Sequence, residues 1–346
     1  MLITERHFGV ADGVLDPAAA EDVLDRWRHR LRSEQPRTWG QALGTSVHDL
    51  RWLFHDNHLW AAGEDSDLLR AVDRRADEPV LQDDPGPVVS EEIVEGVLCI
   101  RLRQCGGGGP DGRLLTQQWR GDHARHFTHD RILVDLRGNP GGEDSHMIAW
   151  IRDHVRREVV WPGWREWRIG EQVVNRWNVA VFSEPEGRGA PLESIIDAFA
   201  LSTSSSLRTV DEPYMIARSA SPWSGRMLVL TDKGSAPAAE SAAWMLRTGL
   251  DAKIIGGRSA GAVGFGNLAP YLLPRSGLKL DLPTASSGWH EESMTGMPID
   301  LAYDVCATLH ETAANFDALH ADAHAASREV SVELSAAFGA IEVPRC

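Results

Sequence analysis

An α/β fold built on buried parallel strands is expected from three features of this 346-residue chain. Arg131–Leu136 (RILVDL) is a short apolar run of the kind found in strands covered on both faces. It ends in the glycine turn RGNPGG, and a helical stretch follows over His146–Val155. Met227–Thr231 is a second such run, followed by a helix over Ala238–Thr248, and Lys253–Gly256 is a third that also ends in glycines. Strand, glycine turn and helix repeated in that order are the sequence form of stacked βα units.

In chain order, Pro17–Leu31 sets Ala20, Val23, Leu24, Trp27 and Leu31 at helical spacing, and a second helix is predicted over about Val47–Phe54. Pro79–Val88 contains Pro79, Pro85 and Pro87 and reads as a connector. Glu95–Leu102 is strand-like, and the glycines Gly106–Gly109 close it. Trp161, Trp164, Trp167 and Trp177 crowd one stretch, which predicts a locally packed subdomain, with an apolar ligand site as the alternative. From Leu268 the pattern turns to short strands, and Ala307–Phe338 is alanine-rich and helical. The expected organisation is an N-terminal helical segment over 1–78, an α/β core over 90–305 with a Trp-rich insertion around 156–222, and a helical tail over 306–346.

With 42% hydrophobic and 25% charged residues the chain has enough apolar side chains for a sizeable core. A formal net charge of -15 argues against nucleic acid or an anionic membrane surface as the main partner. No apolar run is long enough to span a bilayer, and the start MLITERHFGVADG lacks the basic and apolar regions of an export signal. Cys99, Cys105, Cys306 and Cys346 show no CxxC spacing and form no disulfide framework, so a cytoplasmic location is expected. No cofactor is expected, because nucleotide-binding glycine motifs are absent. Neither His55 with His58, nor His123, His126 and His129 with Asp130, has the spacing of a metal site, and these read as solvated loop histidines. His320 and His324 stand one helical turn apart and read as surface.

The segment VDLRGNPGG (134–142) resembles the glycine turn of the tail-specific, or C-terminal-processing, serine proteases and of the tricorn-protease core. LVLTDKGSAPAAESAAWML (228–246) and IIGGRSAGAVGFG (254–266) resemble the family's strand, nucleophile turn, helix and second glycine turn. LRWLFHDNHLW (50–60) and GMPID (296–300) resemble its earlier and later elements. The resemblance runs from about residue 44 to about residue 304 and implies a crotonase/ClpP-like core. The stretch between His58 and the first core strand is too short for an inserted PDZ domain, which needs roughly 100 residues.

Amide hydrolysis on such a core requires a nucleophile, a base and donors aimed at the developing oxyanion. The resemblance assigns the donors to the backbone of Gly141 or Gly142 and of Ala238. It places Pro237 at the nucleophile and Ala262 at the lysine of one branch, which excludes a Ser–Lys dyad, since proline has neither hydroxyl nor N–H. The tricorn-like branch uses histidine, and here His58 matches it, with Asn57 beside it and Glu291 or Glu292 as the late carboxylate. Imidazole suits base work near neutral pH. Ser235 is the nearest hydroxyl and is expected as a displaced nucleophile; Ser241 reads as capping or packing, and Ser259 is a further hydroxyl. The expected activity is that of a serine-peptidase-like hydrolase acting on a peptide or small-molecule amide or ester through an atypical site. The alternatives are a non-proteolytic enzyme using His58 for acid–base chemistry and an inactive peptide-binding pseudo-protease.

Overall fold

A computed structural model describes residues 25, 29, 60–62, 87–105, 124–142, 145–161, 164–167, 214–272, 279–287 and 297–326. The chain forms two compact units. One comprises Met1–Glu78, Val160–Tyr214 and Gly261–Thr295, the other Pro79–Val159, Met215–Ala260 and Gly296–Cys346.

The second unit holds a six-stranded, mostly parallel sheet, as the apolar runs predict. Its strands are β2 (Val89–Val94), β3 (Val97–Leu102), β4 (Arg131–Asp135), β8 (Arg226–Thr231), β9 (Lys253–Gly256) and β12 (Leu301–Ala302). They lie in the order β12-β9-β8-β4-β3-β2, all parallel except β2, which pairs antiparallel with β3. β2 is absent from the sequence expectation, because Glu95–Gly96 reads as part of a strand. It is instead a two-residue turn with both residues at positive φ (50° and 76°), the geometry whose twist suits a hairpin. At this edge the side chains of Glu92 and Ile93 are exposed, and the Glu92 carboxylate guards against further strand pairing.

Alternate residues of the strands face opposite sides. Val97, Cys99, Leu133, Leu228, Leu230 and Ile255 pack under α3 (Leu309–Ala314) and the helical residues 316–326, through Ala313, Phe316 and Ala323. The thiol of Cys99 is pushed up to about 12, chiefly by burial and then by the nearby Glu92 and Asp135 carboxylates. α1 (Ser145–Ile151) follows β4, and α2 (Pro237–Leu250) follows β8 and packs against α1, β8 and β9. Burying each Leu or Ile of these layers is worth roughly 1.5–3 kcal/mol. α2 ends at Asp251, whose left-handed backbone (φ 62°) turns its N–H back to Arg247 O.

The other unit contains an antiparallel sheet of β1 (Trp60–Ala62), β6 (Trp164–Trp167), β10 (Phe265–Leu272) and β11 (Lys279–Ser287). β11 pairs with each of the other three. Trp164 and Trp167 therefore lie on a strand; a short ribbon of β5 (Val159–Trp161) and β7 (Tyr214–Ile216) is separate. The helix expected over Val47–Phe54, Trp177 and the glycine run Gly106–Gly109 lie outside the described residues, as does all of Pro17–Leu31 except Asp25 and His29, which are helical.

His126 corrects the reading of the HARHFTHD histidines as solvated. It is 1% exposed, its Nδ1 accepts the Trp150 indole N–H (3.0 Å), and its Nε2 lies 2.9 Å from Glu91 Oε1. That arrangement places its proton on Nε2, so the ring ties α1 to the edge strand. His320 is half-buried, and its pKa lies below its ordinary 6.5, first through burial and then through Arg226, Lys253 and His324, with Asp251 opposing.

Two outcomes are expected. Gly256 has φ 110°, and a Cβ there would run into the Thr231 carbonyl. Gly256→Ala should therefore lower stability by about 3 kcal/mol in denaturant unfolding. Gly249→Ala, which meets movable Val155 and Val159 methyls, should cost less. Because folding depresses the His320 pKa, the unfolded chain takes up that proton first, so stability falls as pH drops below 6.5. His320→Gln should flatten that part of the stability–pH curve.

Candidate active site

The C-terminal ends of β4, β8 and β9 bring two glycine turns and the start of α2 together. The first turn, Gly138–Gly142, leaves β4 with Gly138 at φ 68°, Gly141 at 99° and Gly142 at 141°. Side chains rarely adopt such backbone angles, which is why glycine recurs here. A Cβ on Gly141 would stand 3.2 Å from Ala238 N and 3.4 Å from Ala236 O and Pro237 Cδ. The absence of a side chain thus lets this turn press directly on the helix start.

Asn139 organises the contact. It is fully buried; its Oδ1 accepts the Gly141 N–H (2.8 Å) and its Nδ2 donates to Leu102 O (3.1 Å). Its carbonyl accepts Ala236 N–H (2.9 Å), and Cys105 N–H bonds Gly141 O (2.8 Å). Asp232 performs the same service from β8, with Oδ1 accepting Gly138 N–H and Gly234 N–H, each at 2.9 Å. Below them, buried Arg137 makes a two-pronged pair with Asp135 (both contacts 2.8 Å) and donates to the carbonyls of Val305 and Ala307. Burial alone would lower the Arg137 pKa, but the hydrogen bonds and charge of Asp135 raise it.

Of the expected oxyanion donors, Gly141 is corrected: its N–H already serves Asn139. Gly142 is exposed beside it. Ala238 lies in the first turn of α2, where no side chain caps the helix. The first N–H groups of a helix lack intrahelical acceptors and carry partial positive charge.

Ser235 is also corrected. It is 0% exposed; its hydroxyl donates to Leu136 O (2.8 Å) and accepts Asp232 N–H (3.1 Å), so it fastens the turn instead of facing a substrate. Ser241 donates back to Pro237 O (3.1 Å). Ser259 donates to the buried Glu240 carboxylate (2.5 Å) and accepts Met297 N–H (2.6 Å). Pro237 occupies the first position of α2, where a missing N–H costs nothing and a fixed φ suits the helix. Ala262 is buried. His58, Asn57, Glu291 and Glu292 lie outside the described residues.

The sequence reading missed Asn139, Asp232 and the Glu240–Ser259 pair. Their signal was present: each is a polar residue in a turn, or in the apolar helix that follows a buried strand.

Residues 122–291 match the family model Peptidase family S41. Among solved structures it is similar to a putative peptidase from Parabacteroides merdae ATCC 43184, at 14% identity over 83% of this chain and 82% of that one, with a TM-score of 0.48. It is similar to a lipoprotein from Streptococcus agalactiae at 11% identity over 82% and 83%, TM-score 0.40. It is also similar to the photosystem II D1 C-terminal processing protease, at 14% identity over 68% of this chain and 53% of that one, TM-score 0.39. No curated protein sequence matches the chain. Among the described residues no helix is long and apolar enough to cross a membrane.

Replacing Asn139 by Ala would leave the Gly141 N–H and the Leu102 carbonyl buried without partners, at about 1–3 kcal/mol each. Asn139→Ala is expected to lower the thermal midpoint sharply, and hydrogen exchange at Gly141 should accelerate.

Proposed function

We propose that this chain is a peptidase-like hydrolase of the S41 type that works without an acyl-serine intermediate. The observation that carries this reading is the state of the hydroxyls. Proline stands at position 237, and Ser235, Ser241 and Ser259 each donate to an internal oxygen. The substrate is a peptide or a related amide or ester whose carbonyl oxygen is polarised by the Ala238 and Gly142 amides.

His58, the base the resemblance assigns, takes a proton from water while the water oxygen bonds to the carbonyl carbon. The C–N or C–O bond then breaks, and the imidazolium returns the proton to the leaving group. Glu291 or Glu292 orients the ring. The cytoplasm belongs to the same proposal: none of Cys99, Cys105 and Cys306 is in a disulfide, in keeping with a reducing compartment.

A second reading, a peptide-binding pseudo-protease, draws on Pro237 and Ala262 together. The two are separated by digesting a peptide and ester library with the full chain. Turnover that falls about 10²–10⁴-fold in His58→Ala, with no fluorophosphonate adduct on the unaltered chain, is the expected result. Binding without turnover would transfer the chain to the second reading. An adduct lost in Ser235→Ala would defeat both. Pro237→Ser should gain fluorophosphonate labelling, because its hydroxyl would arise beside Gly141 at the helix start.

A further inference from the structure

The site above uses the C-terminal ends of the parallel strands; their N-terminal ends carry a separate cluster. Arg131, Arg226 and Lys253 are the first residues of β4, β8 and β9, three adjacent strands. Each stands two positions before a core residue (Leu133, Leu228 or Ile255) packed under the C-terminal helical residues. The strand period therefore directs all three cations to that same face. The helical residues 316–326 bring Asp317, His320 and His324 there from one side of a helix, at spacings of three and four.

The side chains meet around Phe316. The Arg226 guanidinium lies 5.9 Å from the Phe316 ring centre, and His320 stacks on that ring at 6.1 Å. Asp317 takes Arg226 at 2.8 Å and Arg131 at 3.4 Å. Asp251 lies 3.8 Å from Lys253 and is shared with Arg157 at 3.7 Å. Four cations thus face two carboxylates, with two histidines beside them, in a chain whose formal net charge is -15. Arg226 is 47% exposed and His324 is exposed, so their charged ends reach solvent.

We propose that this end of the sheet binds a phosphate-type oxyanion, held by Arg226, Lys253, His320 and His324. Guanidinium and ammonium donors suit such an ion, and a fixed positive surround favours a dianion over chloride. The neighbours that now oppose protonation of His320, namely Arg226, Lys253 and His324, would be offset by the bound charge. The ring would then gain a proton on binding.

The test titrates the full chain with inorganic phosphate, and separately with sulfate, whose charge does not change with pH. Sodium chloride holds the ionic strength constant, and the ring resonances of His320 and His324 are followed by NMR. Saturable shifts at about 1 mM anion are expected, with His320 titrating at higher pH when either anion is present. Lys253→Gln, which leaves the Arg226–Asp317–Phe316 packing in place, should weaken binding about tenfold, and Arg226→Gln as much or more. Arg226→Lys, which keeps the charge, should retain binding and serves as the folding control. Shifts no larger than those from chloride alone, or binding unchanged in Lys253→Gln and Arg226→Gln, would overturn the proposal.

Discussion

The carboxamide of Asn139 is the constraint on which the site depends. A buried amide must satisfy its polar atoms, and this residue joins three stretches of chain. The carboxamide holds the end of β3 through Leu102 O and the glycine turn through Gly141 N, while the main-chain carbonyl of the same residue accepts Ala236 N–H at the start of α2. Leu102 and Gly141 are buried, so these backbone groups need such partners. The turn is therefore fixed by the same bonds that satisfy the core. Its exposed residue, Gly142, inherits that fixity.

Beneath this hub the charged residues follow the same logic. Asp135 and Arg137 leave β4 as a buried pair whose surplus donors reach the carbonyls of Val305 and Ala307. Removing either partner would strand the other charge away from water, which costs far more than the pair contributes. Asp232 likewise links the Gly138 and Gly234 turns. The sheet's apolar layers set the strands in register, and these polar anchors convert that register into a positioned loop cluster. Glu240 with Ser259 extends the system to Met297.

Much of the fold was legible because buried parallel strands are written as apolar runs ending in glycine. β9 has the expected bounds, and β4 and β8 differ by one residue. β2 was not legible. Its exposed edge mixes Glu91, Glu92 and Ile93 without an apolar period, and Glu95 is an unusual residue for a positive φ. At the site, sequence spacing located the glycine turns and the helix that follows β8. It could not assign hydroxyls to partners, because Ser235 is tied to a carbonyl 99 positions earlier. The same holds for His126, whose partners come from β2 and α1. Contacts between distant segments decide whether a polar side chain is available for chemistry, and a linear pattern does not carry them.

Pro237 acts first on the helix that it begins. At the first position of a helix, proline restricts the unfolded chain and sets φ without sacrificing a hydrogen bond. Ala236 gives α2 no side-chain cap, so this restriction supports an otherwise weakly defined start. Position 237 touches the glycine turn, since Pro237 Cδ lies 3.4 Å from where a Gly141 Cβ would be. A stiff ring at that contact holds the Ala238 amide against the turn without help from a substrate. Rigidity of donors is what makes oxyanion stabilisation effective, because no reorganisation is needed when charge develops. On the proposed reading, proline at this position leaves the Ala238 and Gly142 amides in place as donors, with water as the attacking oxygen.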